Sequence, residues 1–478
     1  MDDPFARLPR GPTDPLMAPL ARFLRIEALA GAALLLCAVI ALGLANSPLA
    51  GSYHALWVQP VGLRVGDIEW TRPLRTVIND GLMTLFFFVI TLELKRGLLL
   101  GELRDRRVAV LPIVAAVGGM LVPAALFLLL ESGGAGASGW GVVMATDTAF
   151  VLGCLGLLGN RAPPPLRLFL LALAIVDDIG AMLVLIVGYG TPPAAGPLAL
   201  AALGLLIVVG LRVSGIRSVG CYVWLGMGIW LALDTAGLRP TAAGLILGLM
   251  TPSRSWVSDR RLRAILGRIV TTPPGDRWSG DTAERRDLQR AGTAAREALS
   301  PLERLEMGLH PWVAFIILPL FTLANAGVTV TGDAWTDGPG TSVFIALFLG
   351  KPAGILLFGV SAVVFGLATL PPGLSWRLLA AASPLTGIGF TMGFLIAPLG
   401  FDPALVDTAK LGILTAGAAS AALALAALAW VTAGASPADA ETLPPERPIA
   451  VPGSEPPVDH SAAPTGRRPW ASIRSTPP

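Results

Sequence analysis

Four charged residues stand in the middle of runs that are otherwise apolar. Asp147 lies in Ala145-Thr146-Asp147-Thr148, Asp177 and Asp178 are neighbours in Leu173-Ala174-Ile175-Val176-Asp177-Asp178-Ile179-Gly180, and Lys351 lies in Gly350-Lys351-Pro352. If those runs cross a bilayer, each charge near the centre costs about 3 kcal/mol or more. A packing ion pair would need one acid and one base; here three acids meet one base. Neighbours on an α-helix point about 100° apart, so Asp177 and Asp178 cannot serve one partner equally. One can pair with Lys351 while the other faces a cavity with Asp147. Two carboxylates that share a site of low dielectric cannot both stay ionised cheaply, so they must hold a proton or bind a cation. A hard cation such as sodium wants oxygen ligands, which Asp147, Asp178 and the Thr146 hydroxyl would supply. Proton and cation would then compete for the same oxygens, the simplest device for coupling the movement of one to that of the other.

The elements that must hold these residues are membrane helices. Of 478 residues, 54% are hydrophobic and 14% charged, and the mean hydropathy is +0.68; a soluble domain carries about 25% charged residues. This balance excludes an ordinary globular surface, and a net charge of +3 gives no ground for nucleic-acid binding. About 20 apolar residues cross the hydrocarbon core. Twelve stretches qualify, starting near Ile26, Thr76, Arg107, Gly139, Leu166, Ala194, Ile216, Pro240, His310, Thr341, Trp376 and Ala404. An even number of spans puts both termini on one side. With that side inside, the outer loops hold only Arg64, Arg72, Arg75 and Arg239. Lys351 and Lys410 lie within spans, and every other Lys or Arg of the 35 is inside. That is the positive-inside signature of cytoplasmic N- and C-termini. The first apolar run reads as a retained helix, not a cleaved signal peptide.

Two of the spans read as interrupted. The fourth carries Thr146, Asp147 and Thr148 in its middle, and the eleventh gathers Gly387, Gly389, Thr391 and Gly393. Unwound backbone at mid-membrane is tolerated only where it lines a cavity or is buried in protein. Each interrupted span is the middle of a triplet, 3-4-5 and 10-11-12, and the offset between the triplets inverts their topology. Broken helices at matching places in inverted repeats mark a transport site. The expected fold class is therefore an all-α polytopic membrane protein of about twelve transmembrane helices, with inverted-topology repeats and two interrupted helices.

The membrane domain is expected over 23–432, after a cytoplasmic segment 1–22. Within it, residues 61–70 alternate around Val65-Gly66-Asp67 as a small external hairpin. Residues 253–309 form a long, Arg-rich cytoplasmic connection, helix-compatible from Asp281 to Leu302. Residues 433–478, rich in Pro, Ala and Ser, read as a disordered cytoplasmic tail. Cys37, Cys154 and Cys221 lie in apolar runs with no CxxC pairing, which argues against a disulfide framework or a zinc site and reads as three buried thiols.

At these residues the chain resembles the NhaA family of sodium/proton antiporters. The match runs from about Phe23 to Val431 and is weakest in the Arg-rich connection. Its most specific segments are Ala145-Thr146-Asp147 and those quoted above around Asp177-Asp178 and Lys351. Leu309-His310-Pro311-Trp312-Val313-Ala314, Leu323-Ala324-Asn325-Ala326-Gly327-Val328, Gly387-Ile388-Gly389-Phe390-Thr391-Met392 and Ala409-Lys410-Leu411-Gly412-Ile413-Leu414 add to them. The family is itself a known example of inverted repeats.

The resemblance implies a secondary active transporter of the bacterial cytoplasmic (inner) membrane, with neither a cofactor nor an enzymatic activity. It would exchange sodium, or lithium in its place, for protons, electrogenically, in sodium extrusion and pH homeostasis. It implies Asp147 and Asp178 as ion-site carboxylates with Thr146 beside them, Asp177 as the acid paired with Lys351, and helix breaks at Thr146 and from Gly387 to Thr391. Asp147 and Lys351 would balance the dipole ends that two crossing interrupted helices leave. Glu93 and Glu306 match acidic positions tied to pH regulation. Where the family often carries a His, this chain has Arg239, in Gly237-Leu238-Arg239-Pro240-Thr241; a second family His falls on Met307 and an acidic position on Gly97. The ion site carries over and the histidine part of the pH response does not. A homodimer contact through hairpin 61–70 rests on family analogy.

Two other readings fit a pair of membrane carboxylates. A sodium-coupled organic solute symporter shares inverted repeats, but it needs polar groups for a larger substrate, in which these spans are poor. An intramembrane aspartyl protease uses Tyr-Asp and Gly-x-Gly-Asp motifs, whereas here Asp147 follows Thr146 and Asp178 follows Asp177.

Overall fold

The computed structural model describes residues 27–65, 68–99, 106–134, 136–158, 162–190, 192–215, 219–253, 261–265, 283–330 and 338–433. The expected segment 1–22, the hairpin turn 66–67, much of the Arg-rich connection (254–260 and 266–282) and residues 434–478 of the expected tail lie outside the described residues.

Helix α1 (Glu27–Ala45) is followed by α2 (Ala50–Val58), bent from it by 113°. Strands β1 (Pro60–Val65) and β2 (Ile68–Pro73) then pair antiparallel, in a register running from Pro60↔Pro73 to Val65↔Ile68. The hairpin is thus longer than the expected 61–70, and Pro sits at each open end. It is tied to the helices: Arg72 forms an ion pair with Asp234 at 3.0 Å, and the Trp70 indole donates to the same carboxylate at 3.2 Å.

Helix α3 (Leu74–Leu99) carries a π-helical stretch at Val77–Leu82. Next come α4 (Arg106–Leu130), a 3-10 helix at Ala137–Val143, α5 (Thr148–Leu157), α6 (Pro164–Gly188), α7 (Ala195–Val213), α8 (Val219–Thr235) and α9 (Ala242–Met250). The connection contributes α10 (Ala283–Ala298). The last spans are α11 (Pro301–Asn325), α12 (Gly340–Val364), α13 (Trp376–Gly387), α14 (Phe390–Gly400) and α15 (Val406–Thr432).

Among the described residues, seven helices are long and apolar enough to cross a membrane, or ten if each of three bent pairs is one span. The shorter α8 and α9 stand where the seventh and eighth spans were expected. Two of the bent pairs are the expected interruptions, and their angles nearly match: 43° between the 3-10 helix and α5, and 45° between α13 and α14. Helix α11 begins at Pro301, earlier than the expected span start at His310. Ser300 accepts the Glu303 amide while the Glu303 carboxylate accepts the Ser300 amide, a reciprocal cap that fixes a helix start. The three cysteines are free, but Cys221 is exposed and the other two are half-buried. A helix face turned to lipid needs no polar cover, so apolar context alone did not predict burial.

Two features set the site elements in place. Helices α4 and α12 pack with Gly118 against Gly354, so closely that a methyl on either would collide with the other's backbone; small residues let membrane helices approach this way. That contact seats Lys351 of α12. The crossing of the two interrupted spans lies at the seam of two apolar clusters, with Ala145 and Phe390 in one and Val151 and Ile388 in the other. The polar groups of the unwound segments are therefore sealed on both sides.

Candidate functional site

Residues 145–147 run without helical hydrogen bonding between the 3-10 helix and α5. The Asp147 amide donates to the Ile388 carbonyl at 2.7 Å, which ties one break to the other. A helix start leaves unpaired amides and a partial positive charge, and here two such starts converge. Asp147 answers both: Oδ1 accepts the Phe150 amide of its own helix α5 at 3.4 Å, and Oδ2 accepts the Thr391 amide of α14 at 3.0 Å. The opposite ends leave unpaired carbonyls. Lys351 Nζ donates to the Met144 carbonyl, and the Thr146 hydroxyl lies 3.1 Å from the Thr386 carbonyl.

Gly387 and Gly389 make this crossing possible. A Cβ on Gly387 would stand 2.7 Å from the Leu347 carbonyl oxygen, and one on Gly389 would stand 2.9 Å from that of Ala145. Only the absence of a side chain lets the second break run this close to α12 at Gly387 and to the first break at Gly389. Thr391 contributes its backbone, as the amide that Asp147 holds.

Helix α6 presents its two acids to different partners. Asp177 pairs with Lys351 at 3.2 Å, both side chains fully buried, and its Oδ2 also accepts the Thr146 hydroxyl at 2.6 Å. Asp177 Oδ1 is buried without a hydrogen-bond partner. A hydroxyl has one proton to give, and the shorter of the two Thr146 contacts is the one to Asp177. Asp178, 3% exposed, turns to the other side. There the Thr148 hydroxyl donates to its Oδ2 at 3.1 Å. Because Thr148 follows Asp147 directly, Asp178 and Asp147 stand close enough for each to feel the other's charge.

The charges can now be assigned. Lys351 offsets Asp177. Two helix starts, each worth about half a positive charge, offset Asp147. Asp178 has the Thr148 hydroxyl and, among the described residues, no lysine or arginine at ion-pair distance. The arrangement can therefore take up positive charge at Asp178 and its neighbour Asp147: protons, or a hard cation held by the oxygens of both carboxylates.

The expected regulatory residues sit elsewhere. Glu306, near the start of α11, pairs with Arg96 of α3 at 3.0 Å, and Glu93 lies within electrostatic reach of it. Arg239 lies in the turn between α8 and α9. Burial pushes its guanidinium down from its ordinary value, and the charge of Asp80 opposes that. Lys410, which the sequence reading noted as a charge within a span but gave no role, is buried and donates to the Asn325 carbonyl at the end of α11 at 3.1 Å. Sequence reasoning missed Thr148 as a site residue, although it stood in the quoted segment. The signal was there in the second hydroxyl beside Asp147, but nothing in the sequence says which of the two faces Asp178.

The model of the Na+/H+ antiporter 1 family matches residues 21–428. The chain is 57% identical over 433 residues to the Na(+)/H(+) antiporter NhaA of Rhizobium meliloti (strain 1021), covering 90% of this chain and 99% of that protein. It is 51% identical over 421 residues to Na(+)/H(+) antiporter NhaA 2 of Acidiphilium cryptum (strain JF-5), covering 88% and 94%. It is 46% identical over 429 residues to Na(+)/H(+) antiporter NhaA 2 of Vibrio vulnificus (strain CMCP6), covering 90% and 96%.

Proposed function

The chain belongs to the Na+/H+ antiporter 1 family, and on that premise we propose that it exchanges sodium for protons across the bacterial cytoplasmic membrane as a secondary active transporter. The observation that carries the reading is the state of Asp178. Among the described residues, it is the buried acid of the crossing that has neither an ion-pair contact, which Lys351 makes to Asp177, nor the amides of two helix starts, which Asp147 accepts. A buried carboxylate in that state holds a proton or a cation, and the two compete.

In the proposed cycle Asp178 and Asp147 hold protons when sodium is scarce. On the side where sodium is to be taken up, they release the protons and offer their oxygens to the cation. On the other side protons displace sodium. Two carboxylates that give up two protons for one sodium move net charge, so the exchange is electrogenic and serves sodium extrusion and pH homeostasis. Lithium, also a hard monovalent cation, fits the same oxygens. The Asp177–Lys351 pair and the Thr146 hydroxyl hold the neighbouring acid, which leaves Asp178 to take the proton or the cation. Lys351 and Asp147 also offset the helix ends, which keeps the breaks open without solvent.

The concentration of Lys and Arg in one set of loops supports N- and C-termini in the cytoplasm. Glu93 and Glu306, on that same side, and Arg239, outside, are the proposed regulatory positions. Hairpin 61–70 is the proposed homodimer contact, its inner side being held by Asp234. Nothing in the fold or the comparisons supports organic-solute symport or proteolysis.

The test is sodium-induced dissipation of a proton gradient in everted membrane vesicles, measured across pH. Dissipation that requires an organic solute would replace the proposal with symport; none at any pH would end it.

A further inference from the structure

We propose that Thr148 is a specificity-determining ligand of the transported cation, a third oxygen beside the carboxylates of Asp147 and Asp178. This rests on the ion-site reading above and adds a residue to it.

Threonines in these helices mostly spend their hydroxyls on their own backbone. Thr84, Thr91, Thr251, Thr415 and Thr432 each donate to the carbonyl four residues back, the usual habit of a helical threonine. Thr148 departs from it. It is the first residue of α5, and the carbonyl four residues back, that of Met144, accepts Lys351. Nor is the hydroxyl used as a cap, since Asp147 fills that position. It crosses instead to Asp178 Oδ2 at 3.1 Å.

The two hydroxyls that flank Asp147 therefore differ. Thr146 is 1% exposed and is held at 2.6 Å by the acid of the ion pair. Thr148 is only half-buried and is hydrogen-bonded to the acid outside the Lys351 ion pair. A hydroxyl that donates its one proton keeps two lone pairs. Thr148 thus adds a neutral oxygen 3.1 Å from Asp178 Oδ2, one residue along the chain from Asp147. A neutral third oxygen on a helix start lets the site grip a small hard cation without adding negative charge, and its position sets the size of cation that fits.

The experiment compares Thr148→Val, Thr148→Ser and Asp178→Asn in proteoliposomes at alkaline pH, where protons compete least. Loss of a hydrogen bond or ligand to a charged group predicts a rise in sodium KM of about tenfold for Thr148→Val, with kcat falling less. The ratio of lithium to sodium KM should change with it, and Thr148→Ser should restore both. A Thr148→Val protein with the parent KM for both cations overturns the proposal, as does a fall confined to kcat. Should valine crowd the crossing and prevent folding, Thr148→Ala carries the same readout without added bulk. Asp178→Asn separates the two levels: native exchange in that variant sinks the ion-site reading itself, whereas its loss beside a native KM in Thr148→Val removes only the role of Thr148.

Discussion

Asp147 accepts the Thr391 amide at 3.0 Å while it caps its own helix through Phe150, so one carboxylate holds the starts of both interrupted helices. It thereby has two separable roles, an acceptor for backbone and a charge for the cation. Asp147→Asn keeps an acceptor oxygen and loses the charge. We expect it to abolish exchange while the protein stays folded in the membrane, with a thermal midpoint in detergent close to the parent's. Asp147→Ala loses both roles and should also be destabilised by about 1–2 kcal/mol per lost cap. Near-native exchange with unchanged sodium affinity in Asp147→Asn would remove it from the ion site.

Asp178→Asn should abolish exchange with even less structural cost, because the residue caps nothing and the Thr148 hydroxyl can still donate to an amide oxygen. Membrane yield and midpoint should match the parent. A variant that exchanges normally would overturn the two-carboxylate ion site.

Lys351→Ala tests the buried pair. Removing one partner of a fully buried ion pair costs about 3–5 kcal/mol, because the other charge is left uncompensated. Here the Met144 carbonyl also loses its donor. The variant should unfold at a clearly lower temperature in detergent, and the charge moved per cycle should change as Asp177 takes up a proton. Adding Asp177→Asn should recover part of the lost stability. A Lys351→Ala protein with the parent midpoint would mean that the pair contributes nothing.

The four membrane charges were legible in the sequence because an apolar background leaves a charge nowhere to hide. The interruptions were legible for a related reason: Thr146-Asp147-Thr148 and the glycines from Gly387 to Gly393 are poor material for an unbroken span. Which acid of the Asp177-Asp178 doublet meets Lys351 was legible only through the family resemblance, since a 100° offset separates the two directions but does not orient the helix; the pair is Asp177 with Lys351. The hydroxyls show the same limit. Thr146 and Thr148 look equivalent around Asp147, and only the unwound backbone decides that the first turns to Asp177 and the second to Asp178. Helix α2 and the early start of α11 were not foreseen because neither is a full apolar run of its own: one is a nine-residue helix after a 113° bend, the other an amphipathic entry set by the Ser300 cap.

Gly354→Val should displace α12 from α4. The added side chain would collide with the backbone of Gly118, and overpacking of this kind costs about 1–3 kcal/mol or more. Because Lys351 lies one turn away on α12, the variant should lose exchange as well as stability. Gly118→Val should do the same from the facing side. A variant with native midpoint and exchange would show that the two helices can separate without moving the lysine.

The pH response follows from competition at the site. Protons and sodium contend for Asp147 and Asp178, so the apparent KM for sodium should rise as pH falls, while the maximal rate changes less. Saturating sodium should then restore most of the activity at acidic pH. Arg239 adds no step of its own. Burial lowers its guanidinium from the ordinary value and the charge of Asp80 opposes the shift, but arginine starts so high that it stays a cation throughout the physiological range. A broad activation profile is therefore expected. Arg239→His supplies the contrast, because an imidazole titrates near 6.5 and loses its charge as pH rises through that region. If this position gates the response, the variant should gain a steeper step there, in the direction set by loss of the positive charge facing Asp80. The measurement is exchange at several sodium concentrations from acidic to alkaline pH, in parent and variant. Failure of saturating sodium to restore the acidic limb would show a separate sensor, and Glu306 with its partner Arg96, together with Glu93, would be the residues to replace next.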